Sequence, residues 1–201
     1  NLIALAGMSD YKNGQQAVSD GAGGAIIVWY DDRNGLFNAD IYAQRINAAG
    51  VVQWTANGVA ITNASNDQYL PNVVSDGAGG AIIAWQDFRG GVASNPDIYA
   101  QRINAAGVVQ WTANGVVICN ASNEQFSPAM VSDGSGGAIF AWQDARTAGN
   151  QDIYAQRINA SGAVQWAANG VVIITTKRGK SGAPKINFST SFNVNELRKK
   201  V

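Results

Sequence analysis

Residues 81–85 read AIIAW, and closely similar stretches occur as AIIVW at 25–29 and AIFAW at 138–142. A strand with one solvated face alternates apolar and polar residues, whereas these three strands are apolar on both faces. Both faces of the sheets that contain them must therefore be covered. Small Ala84 beside large Trp85 suits the interlocking of adjacent sheets.

These stretches belong to a longer repeat. Residues 40–59, DIYAQRINAAGVVQWTANGV, recur unchanged at 97–116, and residues 152–171 differ from them at only three positions. Such a period is typical of repeated supersecondary units. Three full units of 55–57 residues and a partial fourth result when the unit starts are placed at Asn1, Asn57, Asn114 and Asn169.

Each unit contains short strand-like runs separated by turn residues, and helix signals are nearly absent from residues 1–176. The runs of the second unit are VAI (59–61), NVV (72–74), AIIAW (81–85), IYAQRI (98–103) and VVQW (108–111). We count the first as an edge continuation and join the last two by the NAAG turn, which leaves four principal strands. The sequence therefore predicts an all-β repeat array over residues 1–176, a β-propeller of four-stranded antiparallel blades.

The run from DGAGGAIIVW through YAQRINAAGVVQW to NGV resembles the repeats of bacterial extracellular β-propeller proteins. It is particularly similar to delta-60-type repeats, in which a DG-led strand precedes an "aRln-dG" hairpin and an "F/W-x-x-x-G" closure. The resemblance covers residues 1–176. It implies a propeller in a bacterial protein that is extracellular or at the cell surface, and its motifs are structural and imply no activity.

Composition limits the chemistry that this chain can perform. Its 201 residues include no His, the commonest general base and metal ligand. The single Cys119 occupies the repeat position of Thr62 and Ile174, which predicts a packed side chain and excludes a disulfide within the chain. No apolar run approaches the length of a membrane-spanning helix. We expect no metal, no cofactor and no membrane span.

Charge is distributed unevenly along the chain. Residues 1–176 hold seven Lys and Arg against thirteen Asp and Glu, and residues 177–201 hold seven Lys and Arg against Glu196. The basic tail suits a closing strand or a contact with a partner chain, and it is weak evidence for nucleic-acid binding, which we do not predict. Three open blades would expose two apolar faces, so we predict a homodimer, with a four-bladed monomer closed by the tail as the alternative.

A D-x-R motif follows each buried strand. Alternate residues of an extended chain share a face, so the carboxylate and the guanidinium can pair directly. One interpretation is an ion pair that holds the hairpin end, and the other is a ring of ligand-binding groups at one mouth of the propeller. The pairs are Asp31 and Arg33, Asp87 and Arg89, and Asp144 and Arg146. The following strands open with acids that could join the same cluster, Asp40, Asp97 and Asp152.

The remaining repeated residues have mainly structural interpretations. The DG-led segments are typical of tight turns rather than of phosphate or calcium loops, and Arg45, Arg102 and Arg157 are expected to bond between blades. We predict core packing for Trp29, Trp85 and Trp142. Core packing is also favoured for a second set that lies nearer a hairpin end and could instead stack on sugar rings, Trp54, Trp111 and Trp166.

These features favour a non-catalytic scaffold for binding or adhesion, with a glycan or a protein as ligand. The first alternative is a carbohydrate-binding propeller that uses the exposed Trp residues and the D-x-R loops, which vary between units as specificity loops do. A glycosidase-like enzyme is more distant. Glycoside cleavage needs two carboxylates in different environments, whereas identical repeats supply identical environments.

Overall fold

The computed structural model describes residues 12–91, 95–147 and 150–174, which form three four-stranded antiparallel sheets and no helix. Sheet 1 contains β1 (Lys12–Ser19), β2 (Ala25–Asp31), β3 (Asp40–Ile46) and β4 (Val59–Ala60). Sheet 2 contains β5 (Gln68–Ser75), β6 (Ala81–Asp87), β7 (Asp97–Ile103) and β8 (Val116–Cys119). Sheet 3 contains β9 (Gln125–Ser132), β10 (Ala138–Asp144), β11 (Asp152–Ile158) and β12 (Val171–Ile174). The all-β prediction is confirmed, and the tail at 177–201 lies outside the described residues.

Each sheet is a meander in which strands consecutive in sequence are hydrogen-bonded neighbours. The central pairing is uninterrupted: in sheet 1 it runs from Ala25 opposite Ile46 to Asp31 opposite Asp40. The same register joins β6 to β7 and β10 to β11. This register places the Asp that ends each second strand directly across from the Asp that begins the third.

The fourth strand of each sheet follows the Asn-Gly turn and is not the VVQW run. In sheet 2 this run supplies only an isolated bridge at Val109, and β8 completes the sheet. The buried Gln101 gives the reason. Its Nε2 donates to Thr112 O at 2.9 Å and its Oε1 accepts from Trp111 N at 2.9 Å, so a side chain takes the place of a ladder partner. The VAI run, counted above with the second unit, therefore supplies β4 of sheet 1.

Two apolar layers hold the three sheets together. The layer between sheets 1 and 2 includes Val28, Ile41, Ile83 and Trp85. The layer between sheets 2 and 3 includes Ile82, Ala84, Phe140 and Trp142. Because successive side chains of a strand point to opposite faces, β6 contributes to both layers, and all seven of its residues are buried. Coverage of both faces, inferred from the AIIAW stretch, is confirmed for the middle sheet.

Candidate ligand-binding site

Four side chains interact at the end of the second strand of each sheet, and we call them the Asp–Arg cluster. Two come from the second strand, one from the loop that follows it and one from the third strand. In sheet 2 these are Trp85, Asp87, Arg89 and Tyr99. One oxygen of Asp87 accepts a hydrogen bond from Trp85 Nε1 at 2.7 Å, and the guanidinium of Arg89 binds both oxygens at 2.8 and 2.6 Å. The equivalent clusters are Trp29, Asp31, Arg33 and Tyr42 in sheet 1, and Trp142, Asp144, Arg146 and Tyr154 in sheet 3.

The guanidinium of each cluster is held on several sides. Arg89 Cζ lies 3.6 Å from the centre of the Tyr99 ring, and Arg89 Nη2 also donates to Asn114 O at 2.8 Å. The Asp87 side chain is fully buried, whereas 25% of the Arg89 side chain is exposed. The ion-pair interpretation of D-x-R therefore matches the geometry in all three sheets. A role in ligand binding stays a prediction. The arginine edge of each cluster is open to solvent, and in sheet 2 Tyr99 is also only half-buried.

Hydrogen bonding controls the charge state of the buried acids. Burial alone would raise the pKa of Asp31, but the hydrogen bonds from Arg33 and Trp29 outweigh burial and hold this pKa below its ordinary value. The pKa of Asp144 is lowered for the same reasons. Burial would lower the pKa of Arg89, and the Asp87 carboxylate raises it instead. The pairs of sheets 1 and 3, Asp31 with Arg33 and Asp144 with Arg146, are therefore ionised at neutral pH.

The acid across the ladder behaves differently. Burial raises the pKa of Asp40 to about 6, against a hydrogen bond from Asn34, and the negative charges of Asp31 and Asp87 raise it further. Burial and the charge of Asp87 raise the pKa of Asp97 to about 6. One oxygen of Asp40 has no hydrogen-bond partner among the described residues.

Two carboxylates with separated pKa values are the arrangement that acid–base catalysis requires. The argument that identical repeats give identical environments holds between clusters and fails within one cluster, because Asp31 and Asp40 occupy unlike surroundings. Both side chains are buried, however, and both oxygens of Asp31 already accept hydrogen bonds. A substrate would reach the Asp31 carboxylate only by displacing Arg33, which binds both of its oxygens.

The loop between β2 and β3 extends from this end of sheet 1. Two turns shape it, closed by hydrogen bonds from Gly35 N to Asp32 O at 2.8 Å and from Asn38 N to Gly35 O at 3.2 Å. Between them Leu36 is 82% exposed and Phe37 is 76% exposed. Phe37 has a φ of 60°, which is unusual for a bulky side chain. The loop thus presents two apolar side chains to solvent.

The second Trp set lies at the contacts between sheets. Trp54 Nε1 donates to Ala105 O at 3.0 Å, and Arg45 Nη1 donates to the same carbonyl at 3.0 Å. A Cβ on Gly107 would approach the Trp54 ring within 2.8 Å, so only glycine permits this close packing. We call this contact the inter-sheet lock. Sheets 2 and 3 are joined by the same lock, formed by Trp111, Arg102, Ala160 and Gly162.

Trp54 and Trp111 are each packed in an inter-sheet lock, whereas Trp166 forms no such contact among the described residues. Trp111 is only 9% exposed because the turn of sheet 3 covers it, whereas Trp166 is 37% exposed. No acceptor for Trp166 Nε1 lies among the residues that the structure describes. A sugar platform would therefore have one free Trp ring rather than three.

The DG-led segments are turns, as predicted. Asp20 Oδ1 accepts hydrogen bonds from Ala22 N and Gly24 N, both at 2.8 Å. These backbone bonds outweigh burial and, with the bond from Arg45, lower the pKa of Asp20. Arg45 also forms an ion pair with Asp20 within sheet 1, with 2.9 Å between Arg45 Nη2 and Asp20 Oδ2. The sequence predicted that Arg45 bonds between blades but did not predict this ion pair.

Cys119 is a packed side chain, as predicted. It is fully buried, and burial raises the pKa of its thiol to about 12, which keeps it protonated at neutral pH. Within residues 12–91, 95–147 and 150–174, no group of His, Cys, Asp and Glu could hold a metal ion. The same residues contain no helix long and apolar enough to cross a membrane.

Sequence reasoning missed two groups of residues in these contacts. The buried Gln residues that end the ladders, Gln44, Gln101 and Gln156, recur in every unit. So do the tyrosines under the guanidinium groups, Tyr42, Tyr99 and Tyr154. Their recurrence within the repeat was the available signal. Their partners, however, lie on other strands, which repetition alone does not pair.

Comparison with known proteins leaves the family open. No protein-family model matches the chain, and no curated protein matches it. The likeness to delta-60-type repeats stays a resemblance carried by the quoted motifs.

Proposed function

We propose that this chain is a non-catalytic β-propeller module that serves as a scaffold for binding or adhesion. The inter-sheet lock is the observation that carries the proposal. Trp54 with Ala105, and Trp111 with Ala160, relate successive sheets by the same contact. A contact repeated in the same register rotates each sheet by a constant amount, which is how radial arrays of four-stranded sheets are built. The bacterial secreted or surface setting follows from the resemblance alone.

The non-catalytic part of the proposal rests on access. The carboxylates of the three Asp–Arg clusters are buried, and each is bound to its own arginine. The pKa difference between Asp31 and Asp40 is the one observation that favours a glycosidase. Turnover of chromogenic glycosides that is lost on Asp40→Asn would overturn the non-catalytic assignment.

We place the binding surface at the loops that join the second and third strands. The strands beside them repeat almost without change, whereas the loop sequences NGLFNA, GGVASNP and TAGNQ differ. Variable loops on an invariant scaffold are the usual location of specificity. In sheet 1 this loop presents Leu36 and Phe37, which favours an apolar patch on a protein ligand over a sugar.

Binding of the labelled chain to a panel of immobilised bacterial and host matrix proteins and glycans tests this proposal. We expect a protein on the panel to bind, and the double substitution Leu36→Ser with Phe37→Ser to abolish that binding at unchanged melting temperature. Val108→Ala is the matched control, because it removes an exposed apolar side chain outside the loop, at a position where the third unit already carries Ala163. Binding only to glycans, or binding that survives the double substitution, would refute the assignment.

A further inference from the structure

Each sheet has two unlike faces. The downstream face packs on the following sheet, and the upstream face packs on the preceding one. In sheet 2, Ile82 and Ala84 lie on the downstream face, and Ile83 and Trp85 lie on the upstream face. The outer sheets each have one face with no following or preceding sheet among the described residues: the downstream face of sheet 3 and the upstream face of sheet 1.

Burial at equivalent positions shows that the downstream face of sheet 3 is incompletely covered. Positions that are fully buried in sheets 1 and 2 are half-buried in sheet 3, where they are Ile139, Ala141 and Ile153. Val131, opposite Ile139 in the ladder, is 60% exposed. The lock residues agree, since 39% of the Arg157 side chain is exposed against 20% for Arg102.

The upstream face of sheet 1 has no sheet packed on it within the part of the chain that the structure describes. Three positions that are fully buried in sheets 2 and 3 are half-buried here, namely Ala25, Ile27 and Ile46. The turn at Asn47–Gly50 matches the turns that receive the two locks, and Gly50 has a φ of 76° against 80° for Gly107. Ala48 is exposed, whereas the equivalent acceptor Ala105 is half-buried under Trp54.

We propose that the downstream face of sheet 3 binds the upstream face of sheet 1 of a second copy of this chain. Trp166 Nε1 and Arg157 Nη1 would donate to Ala48 O of that copy, and the Trp166 ring would lie over its Gly50. The sequence of residues 175–201 contains no Asn-Ala-x-Gly motif like the ones that supply the acceptor in the two locks. Contact between two downstream faces would bring donors to donors, which favours the head-to-tail arrangement.

A head-to-tail contact closes a ring when its rotation closes. Two copies would bring six sheets together, within the four to eight blades that propellers contain. Sedimentation equilibrium of the 201-residue chain at moderate salt is therefore expected to give twice the chain mass of 21.1 kDa. A mass that stays at 21.1 kDa over the whole concentration range would overturn the proposal.

Substitutions on the two faces test the geometry. Trp166→Ala and, on the other face, Ile27→Glu are each expected to raise the dissociation constant at least about thirtyfold, since central apolar anchors dominate interfaces. Val108→Ala is the matched control and should leave the dimer unchanged, and far-UV circular dichroism checks that each variant folds. Should Ile27→Glu disturb folding, Ile27→Ala tests the same face.

Mixing the two variants separates head-to-tail from face-to-face association. Trp166→Ala retains an intact upstream face and Ile27→Glu retains an intact downstream face, so an equimolar mixture recovers one native interface. We expect the mixture to associate more strongly than either variant alone. A dimer that tolerates Ile27→Glu, or a mixture with no gain over the separate variants, would refute head-to-tail docking.

Discussion

Replacing Arg89 by Ala tests how the Asp–Arg cluster is held together. The substitution removes both bonds to Asp87, the donor to Asn114 O and the cation that lies over the Tyr99 ring. An exposed ion pair would cost about 0–1 kcal/mol, whereas breaking a buried pair costs about 3–5 kcal/mol. The Asp87 side chain is fully buried and 25% of the Arg89 side chain is exposed. Because water can reach the arginine edge, we expect an intermediate loss of about 2–3 kcal/mol.

Thermal and urea unfolding measure this loss. In a chain of this size, 2–3 kcal/mol lowers the melting temperature by roughly 5–10 °C. A double-mutant cycle with Asp87→Asn provides the control. The loss of unfolding free energy in the double variant should be about 1–3 kcal/mol smaller than the sum of the two single losses, because the single variants both break the same buried pair. A loss below about 1 kcal/mol for Arg89→Ala would show that the pair behaves as a solvated surface contact and would refute the reasoning.

Three further predictions concern the core, the lock and the ladder acids. Trp85→Ala should lower the free energy of unfolding by about 3–5 kcal/mol, because the substitution leaves a cavity between sheets 1 and 2. Urea unfolding measures this loss, and a loss below about 1 kcal/mol would contradict the burial of Trp85. Gly107→Ala should cost about 1–3 kcal/mol and expose Trp54, whose fluorescence should shift to the red; an unshifted spectrum at native stability would contradict the lock. The raised pKa of Asp40 means that its folded form keeps a proton that the unfolded form has lost, so its contribution should make stability fall from pH 4 to pH 6. Asp40→Asn should therefore flatten that part of the pH profile of the melting temperature, and a profile identical to wild type would refute the assignment.

The repeat was sufficient to predict the first three strands of each sheet, the burial of the middle sheet on both faces and most of the turns. Apolar AIIAW implied covered faces, and every residue of β6 is buried. The D-x-R spacing implied a direct pair, and the pair forms in all three sheets. These predictions succeeded because strand periodicity, turn chemistry and contacts two residues apart are local properties of the chain.

Residue spacing could not predict which run forms the fourth strand. It also could not predict that Asp31 lies directly opposite Asp40 in the ladder. The VVQW run has strand composition, yet the side chain of Gln101 binds the backbone where its ladder would continue. The separated pKa values of Asp31 and Asp40 require a register that brings two acids face to face at a buried end. Register and desolvation depend on the neighbouring strands.

The clearest limit of the sequence is the contrast between Trp111 and Trp166. Both occupy the same place in the repeat, in almost the same local sequence, and pattern assigns them one role. In the folded chain Trp111 is covered by the turn of the next sheet and Trp166 is not. Local sequence shapes the strand and the turn, which are the same in both units. The burial of each Trp depends on whether another sheet packs against it, and only the stacking of the sheets in the fold determines this.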